Sequence, residues 1–194
     1  MKTDIILAGV GGQGILSIAT CIGLAAMNEN LYLKQSELHG MSQRGGAVQS
    51  HFRLSDKPIA SDQIPLGKAD IIISVEPMEA LRYLPWLSKD ATVVADSQPY
   101  INIPDYPDIN EVTNEIKKLK NHILINAGEL AQSIKSPKSA NIVMLGAASP
   151  FLHLKLESLQ DAVRELFKTK GDAVVEANLQ ALNIGRKASS NYAK

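Results

Sequence analysis

The sequence has only one cysteine, Cys21, among its 194 residues. A single cysteine excludes a disulfide within the chain, a cysteine-rich zinc site, and an iron–sulfur cluster held by this chain alone. Aromatic residues are also scarce at 5%, but 45% of the residues are hydrophobic, which suffices for a core and excludes disorder as the main state. The scarcity of cysteine favours a reducing, cytoplasmic location.

The chain also lacks net charge, because 20 lysines and arginines are balanced by 20 aspartates and glutamates. A neutral chain has no long-range field to attract a polyanion, and this disfavours broad nucleic-acid binding. Between residues 5 and 27 no charged residue occurs at all. Glycines interrupt this apolar stretch, which therefore does not suit a membrane span. We expect no membrane partner and interpret the stretch as a buried strand, a turn and a buried helix.

Short apolar segments alternate with segments of helical periodicity along the chain. Strands are predicted near residues 4–8, 31–35, 69–75, 91–95 and 122–126. Helices are predicted at about residues 15–28, 76–83, 111–119, 127–133, 140–148, 156–168 and 172–188. This alternation predicts an α/β fold, namely a three-layer Rossmann-like domain with a mostly parallel sheet and C-terminal helices, spanning residues 1–194 as one domain. Residues 47–54 alternate in polarity and predict a small β-hairpin excursion with residues 59–61.

A glycine turn, residues 9–14, follows the first predicted strand and precedes the first predicted helix. Its sequence Gly-Val-Gly-Gly-Gln-Gly matches the dinucleotide-binding pattern G-x-G-x-x-G. Glycines let a ligand approach the backbone, and the free N–H groups of a helix start attract an anion. Glu37 lies 23 positions after Gly14, about where such folds place an acid that binds ribose. The alternative is that the glycines only permit a tight turn and close packing of the helix on the sheet.

A polar loop over residues 36–46 is the second unusual segment. Within it Arg44 is followed by Gly45 and Gly46, which places a planar cation with several donors beside an open backbone. This combination suits a carboxylate or a phosphate. In the alternative interpretation Arg44 pairs with Glu37 or with solvent. If the second strand is parallel to the first, the loop reaches the same sheet edge as the glycine turn, and we expect the turn and Arg44 to line one crevice there.

Three segments together carry a resemblance to a known family. The glycine turn, residues 37–46, and residues 141–146 (Asn-Ile-Val-Met-Leu-Gly) are similar to the gamma subunit or domain of 2-oxoacid:ferredoxin oxidoreductases. Residues 76–82 (Glu-Pro-Met-Glu-Ala-Leu-Arg) further resemble the beta subunit of indolepyruvate:ferredoxin oxidoreductase. The resemblance is collinear and covers essentially the whole chain.

The resemblance implies an enzyme that oxidatively decarboxylates a 2-oxoacid to an acyl-CoA and passes electrons to ferredoxin. Members of this family use thiamine diphosphate and iron–sulfur clusters, with coenzyme A as co-substrate. The thiamine signature, Gly-Asp-Gly followed by Asn-Asn, is absent here, and the nearest match, residues 171–173 (Gly-Asp-Ala), has no asparagine pair after it. This chain is therefore expected to carry neither cofactor, and the chemistry is expected on a catalytic partner subunit.

The resemblance thus implies a subunit that is inactive alone and that reaches ferredoxin through the complex. It would help to bind or shield coenzyme A or the 2-oxoacid. In isolation we expect self-association as a homodimer through the surface that faces the partner. No catalytic residue and no metal site is predicted on this chain, because its four histidines are scattered. The sequence leaves the identity of the 2-oxoacid open.

The residues expected to bind an anionic ligand come from the turn, the loop and position 141. They are Gly9, Gly11, Gly12, Gln13, Gly14, Glu37, Gln43, Arg44, Gly45, Gly46 and Asn141. For Asn141 the favoured interpretation is a cap of the following helix, and the other is contact with a ligand beside the glycine turn. Two further functions stay open at this point: a stand-alone NAD(P)- or flavin-dependent oxidoreductase that uses the turn, and a nucleotide-binding scaffold module.

Overall fold

The computed structural model describes residues 1–40, 45–101 and 103–190, which contain six strands and seven α-helices. The strands are β1 (Lys2–Val10), β2 (Tyr32–His39), β3 (Ala47–Ser55), β4 (Ala69–Ser74), β5 (Leu87–Asp96) and β6 (His122–Ile125). The helices are α1 (Ile15–Asn28), α2 (Pro77–Arg82), α3 (Ile109–Lys117), α4 (Ala127–Ser133), α5 (Ala140–Ala148), α6 (Leu156–Phe167) and α7 (Asp172–Ser190). The helix bounds agree with the predicted ones to within about two residues.

The strands form one mixed sheet in the order β2-β3-β1-β4-β5-β6. Neighbours from β1 through β4 and β5 to β6 are parallel, whereas β3 runs antiparallel to both β1 and β2. β2 consequently runs in the same direction as β1. The predicted α/β fold with a mostly parallel sheet is confirmed. Helices cover both sides of the parallel strands, and consecutive buried isoleucines such as Ile71, Ile72 and Ile73 of β4 are typical of that arrangement.

Helices cover both faces of the sheet and complete three layers. Ile5 and Leu7 of β1 point to a large core under α1 and the C-terminal helices α4–α7. Ile6 and Ala8 point to a smaller core under α2 and α3. Because successive side chains of a strand face opposite sides and both sides are covered here, residues 5–8 of β1 have to be apolar, and this explains why the uncharged stretch begins within β1. Within the described residues, none of the helices combines the length and the apolar character needed to cross a membrane.

The predicted hairpin is wrong in its second half. Residues 59–61 form no strand, and β3 lies inside the sheet between β2 and β1, so both of its edges are already paired. The segment after β3 is held by Arg53 instead, whose Nη1 donates to the carbonyls of Ser61 and Gln63 at 3.1 and 2.8 Å. The antiparallel hairpin is formed by β2 and β3. β2 extends beyond the predicted residue 35, because backbone pairing with β3 does not require apolar side chains.

Two glycines allow α5 and α7 to cross at very short range. A Cβ atom at Gly146 would overlap the carbonyl oxygen of Leu182, and one at Gly185 would overlap that of Val143. The two helix backbones are therefore in direct contact, which side chains at these positions would prevent. The crossing fixes α7 against α5, and both helices contribute walls to the site described next.

Candidate functional site

The path of the chain creates a crevice beside the glycine turn. After β1 the chain passes into α1 on one face of the sheet, whereas after β4 it passes into α2 on the other face. Open α/β sheets bind ligands where the connections diverge in this way, outside the carboxyl ends of the strands. The glycine turn follows β1 at this edge, and Val75 and Glu76 follow the neighbouring β4. The topology therefore favours a ligand site at the turn.

The glycine turn is braced by its own glutamine. The Oε1 atom of Gln13 accepts a hydrogen bond from the N–H of Val10 at 2.8 Å, and its Nε2 donates to the carbonyl of Val75 at 3.0 Å. This side chain ties the end of β1 to the end of β4 and holds the floor of the crevice in place. Both polar ends of its amide take part in these contacts, so Gln13 shapes the site, and its contact with a ligand stays a prediction.

The last residue of the turn, Gly14, precedes α1 and needs to be glycine for two reasons. Its φ of 81° lies in the left-handed region, and a Cβ atom there would lie 2.6 Å from Nδ2 of Asn141. That nitrogen donates to the Gly14 carbonyl at 3.1 Å. Gly14 has no side chain to cap α1, and the first turn of α1 has no acidic residue. The N–H groups at this helix start therefore present partial positive charge to the crevice.

Asn141 is not the helix cap that the sequence favoured. A short 3₁₀ turn over Pro137–Ser139 leads directly into α5, which begins at Ala140. Asn141 therefore lies inside the first turn of α5, and Ser139 occupies the cap position. The side chain of Asn141 faces the glycine turn, as in the other interpretation. Its contact with a ligand stays a prediction.

The loop after β2 lies against the glycine turn. The N–H of Gly11 donates to the carbonyl of Gly46 at 2.8 Å, and the N–H of Gly45 donates to the carbonyl of Gly11 at 3.3 Å. Loop and turn thus share the carboxyl edge of the sheet, as expected from a second strand parallel to the first. Gln43 and Arg44 lie outside the described residues, so their place in the crevice stays a prediction.

Glu37 lies in β2, opposite Ser50 of β3, and not in a loop. Its carboxylate accepts a hydrogen bond from Nε2 of Gln35 at 3.1 Å. Because β3 is inserted between β1 and β2, the end of β2 is one strand farther from the glycine turn than in a fold where these two strands are adjacent. Glu37 is not among the residues that line the two cavities at the turn. The geometry therefore does not favour the dinucleotide-binding function for which Glu37 was a candidate.

The first cavity has a volume of about 590 Å³ and lies between the glycine turn, the start of α5 and the first half of α7. Its lining combines cationic, polar and apolar side chains; among them are Gly12, Ser17, Lys138, Asn141, Phe167, Lys170, Val174 and Asn178. Lys170 also lies over the ring of Phe167, with Nζ 5.3 Å from the ring centre. Two lysines and a free helix start suit a phosphate or carboxylate, and the apolar wall suits an uncharged part of the same molecule.

The second cavity, of about 210 Å³, adjoins the first and shares Gln13, Lys138 and Asn141 with it. It is also lined by Asp96, the last residue of β5, whose side chain is 8% exposed. Oδ1 of Asp96 accepts hydrogen bonds from the N–H groups of Gln98 and Ala127 at 3.0 and 3.3 Å. Burial raises the pKa of this carboxyl to about 6.

Three residues that line the crevice were not predicted from the sequence, namely Asp96, Lys138 and Lys170. Asp96 had a usable signal, because it is the acidic residue that directly ends the apolar run Val-Val-Ala of a predicted strand. The two lysines had none, since each follows a connection whose path only the folded chain defines. They reach the crevice because α5 and α7 pack across the face of the sheet that carries α1.

Residues 76–82, which carried the subfamily resemblance, form a buried structural unit beside this edge. Glu76 accepts from the N–H of Glu79 at 2.8 Å and thereby caps α2. It also accepts from the hydroxyl of Tyr106 at 2.5 Å. Arg82 donates to both carboxylate oxygens of Glu79, from Nε at 3.0 Å and from Nη2 at 3.1 Å. These contacts fix the chain after β4 and after β5.

The residues present do not fit an iron–sulfur cluster on this chain. Cys21 is buried within α1, and burial raises the pKa of its thiol to about 12, so the thiolate that a cluster needs is strongly disfavoured. Across the described parts of the chain, no group of three His, Cys, Asp or Glu side chains is placed to hold a metal ion.

Comparison with known proteins shows one consistent family. A sequence profile of the family described as "Pyruvate ferredoxin/flavodoxin oxidoreductase" matches residues 4–188. The indolepyruvate oxidoreductase subunit IorB of Archaeoglobus fulgidus is 35% identical over 194 residues, which cover 95% of this chain and 94% of the relative. The 2-oxoglutarate synthase subunit KorC of Methanocaldococcus jannaschii is 29% identical, over 95% of this chain and 92% of that subunit.

Solved structures share the fold. The gamma subunit of a keto/oxoacid ferredoxin oxidoreductase from Geobacter sulfurreducens has a TM-score of 0.69 at 23% identity, over 97% of this chain and 99% of that chain. A 2-oxoglutarate:ferredoxin oxidoreductase from Magnetococcus marinus, solved with 2-oxoglutarate, coenzyme A and succinyl-CoA bound, has a TM-score of 0.77 at 21% identity. This chain covers 31% of the Magnetococcus chain, so the same fold occurs both as a separate chain and as part of a longer one.

Proposed function

Because the chain belongs to the pyruvate ferredoxin/flavodoxin oxidoreductase family, we propose that it is a gamma-type subunit of a 2-oxoacid:ferredoxin oxidoreductase, with indolepyruvate as the 2-oxoacid. The observation that carries this proposal is its similarity to IorB subunits of four organisms, at 32–35% identity over 95–96% of this chain. Subunits of 2-oxoglutarate and of pyruvate/ketoisovalerate enzymes are less similar, at 25–29% identity.

Thiamine diphosphate and the iron–sulfur clusters belong on the catalytic partner subunit in this proposal, and ferredoxin is reached through the complex. The buried Cys21 and the missing thiamine signature support this division. The chain acts as one domain over residues 1–194, in the cytoplasm, and self-associates when its partner is absent.

The part of this subunit in catalysis is to bind the anionic end of coenzyme A. The free start of α1, Lys138 and Lys170 supply partial and full positive charge around the first cavity. The apolar wall formed by Phe167 and Val174 suits the uncharged arm of the same molecule. Coenzyme A was bound in the Magnetococcus enzyme, which contains the same fold.

Co-expression with the catalytic subunit tests the function. The purified complex is expected to reduce ferredoxin, or a viologen dye under anaerobic conditions, in a reaction that requires both indolepyruvate and coenzyme A. The matched control is the catalytic subunit expressed alone, which should show little of this activity. Failure of the two chains to co-purify, or full activity of the catalytic subunit alone, would contradict the proposal. Preference for another 2-oxoacid would contradict only the substrate assignment.

Arg44 completes the anion site in this proposal. Arg44→Ala is expected to raise the KM for coenzyme A about 10-fold, since a charge-assisted hydrogen-bond pair is lost. Arg44→Lys should restore part of the affinity, because the charge is kept but the planar pair of donors is not. Steady-state kinetics of the complex measures both, with the melting temperature as a folding control. An unchanged KM for coenzyme A and for the 2-oxoacid would remove Arg44 from the site.

A further inference from the structure

The second cavity holds a nearly buried carboxylate whose structural hydrogen bonds leave part of its acceptor capacity unused. Asp96 is 8% exposed, and none of the ion pairs among the described residues involves it. A carboxylate removed from water without a cationic partner is costly to the fold. The N–H groups of Gln98 and Ala127 both donate to Oδ1. The nearby N–H of Ser97, which also favours the charged form, donates to the carbonyl of Ile125 at 2.8 Å. An ionised carboxyl group has about four acceptor positions, so Asp96 has capacity for a further donor.

The position of Asp96 in the second cavity indicates that this further donor belongs to a bound ligand. Gln13, Lys138 and Asn141 line both cavities, so the space in front of Asp96 continues into the space in front of the glycine turn. Gln13 is engaged with β1 and β4, and Asn141 donates to Gly14. Lys138 lines both cavities, but none of the ion pairs among the described residues joins it to Asp96. A molecule whose anionic group lies at the turn can therefore extend a second group into the smaller cavity.

We propose that Asp96 forms a second binding subsite, which accepts a hydrogen bond from a hydroxyl, amine or amide N–H of the ligand whose anionic group lies at the glycine turn. The ligand is recognised at two points with opposite requirements, an anion at the turn and a donor at Asp96. A small inorganic anion bound at the turn has no arm that carries a donor into the smaller cavity, so it satisfies only the first requirement. Coenzyme A satisfies both, because it carries phosphates together with hydroxyl, amine and amide donors. This inference rests on the proposed function and adds a residue that discriminates between ligands.

The test uses the assembled complex and the variant Asp96→Asn, which keeps the size of the side chain but removes its charge. The KM for coenzyme A is expected to rise about 10-fold or more, as is typical when a hydrogen bond to a charged group is lost. The KM for the 2-oxoacid should stay unchanged. Asp90→Asn is the matched control, because Asp90 lies in the same strand β5 but is exposed and pairs with Lys120 at 3.1 Å.

Inorganic diphosphate, used as an inhibitor competitive with coenzyme A, separates binding from a structural role. Asp96→Asn should leave its inhibition constant unchanged or lower it, since a negative charge near the anion is removed. An equal rise of the KM for coenzyme A and of the inhibition constant for diphosphate would indicate a distorted crevice and overturn the inference. Unchanged values of both would overturn it as well, while the proposed function stands. A wild-type complex that does not assemble, or whose activity does not depend on coenzyme A, would overturn both the inference and the proposed function. A wild-type complex that diphosphate does not inhibit would overturn the inference alone.

Discussion

A single amide group, that of Asn141, connects the wall of the crevice to its floor. Its hydrogen bond reaches the Gly14 carbonyl across 127 positions of sequence, and it occupies the space that a side chain at Gly14 would need. Position 14 therefore requires glycine for this contact as well as for its left-handed backbone conformation. The contact also explains how α5 is kept at a fixed distance from α1.

Gly14→Ala should therefore destabilise the fold more than a substitution at a glycine of similar φ in open surroundings. Gly67, with φ of 69° and nothing within 4 Å of a Cβ atom, is the control. We expect about 1 kcal/mol of backbone strain in Gly67→Ala and an additional 1–2 kcal/mol or so in Gly14→Ala from contact with Asn141. Urea denaturation measures both values. In the double variant Gly14→Ala/Asn141→Ala, part of the additional loss of unfolding free energy should be recovered. If the effects of the two single substitutions simply add in the double variant, the contact is contradicted.

The buried carboxyl of Asp96 should make the fold less stable as the pH rises. Burial, assisted by the nearby charge of Glu76, raises its pKa to about 6, whereas an unfolded aspartate titrates near 3.9. The folded state then keeps its proton between these values, so stability is lost as the pH rises from about 4 through 6, by up to about 3 kcal/mol. Asp96→Asn should raise the free energy of unfolding at pH 7 and change it little at pH 4. An equal effect at both pH values in urea denaturation would contradict this.

At the scale of the elements, the packing of α5 on α7 contributes more to stability at Gly146 and Gly185 than the helix propensity of these residues does. Alanine normally stabilises a helix by about 1 kcal/mol relative to glycine. Gly185→Ala should instead destabilise the protein by about 2 kcal/mol or more, because its Cβ would overlap the carbonyl of Val143. The control is Gly23→Ala in α1, where a Cβ would lie 3.6 Å from Phe52, an ordinary contact, and the change should be neutral or stabilising. The melting temperature of each variant tests this expectation. A shift in the same direction in both variants would contradict the close contact between α5 and α7.

The elements also show what the sequence could and could not predict. Helix bounds were predictable because caps and apolar stripes are local, as in α4, which the side chain of Asn126 caps. The partners of β3 were not, because alternation of polarity marks a strand but not the strand beside it. The glycine turn was recognisable from spacing. Lys138 and Lys170 were not, because the packing of α5 on α7 brings them to the turn, and that packing has no local signal.

At the scale of the whole molecule, the edge of the sheet that carries the crevice also carries exposed aliphatic side chains near the ends of β2 and β5. Leu38 near the end of β2 is 59% exposed, and Ile101 after β5 is 71% exposed. We expect the partner to cover this edge, and these two side chains are the ones that test that expectation. The catalytic subunit would then sit over the mouth of the crevice and enclose the bound ligand between the two chains.

Leu38→Asp and Ile101→Asp are accordingly expected to weaken assembly with the catalytic subunit about 10-fold or more, since a charge would be buried in the interface. Leu66→Asp is the control, because Leu66 is 63% exposed but precedes β4 at the opposite edge. Affinity measured by surface plasmon resonance, with melting temperatures alongside, tests the difference. Equal losses in all three variants would place the interface elsewhere.

The two sides of the crevice come from distant parts of the chain, and this sets the order in which they are made. The floor is formed within the first 76 residues, by the glycine turn and the end of β4, whereas Lys138, Asn141 and the wall of α7 follow more than 60 residues later. During synthesis the turn is therefore completed long before the helices that enclose it. A chain interrupted before α5 retains the glycine motif but lacks the walls of the cavity, so the proposed ligand affinity is expected only once the last third of the polypeptide has been translated.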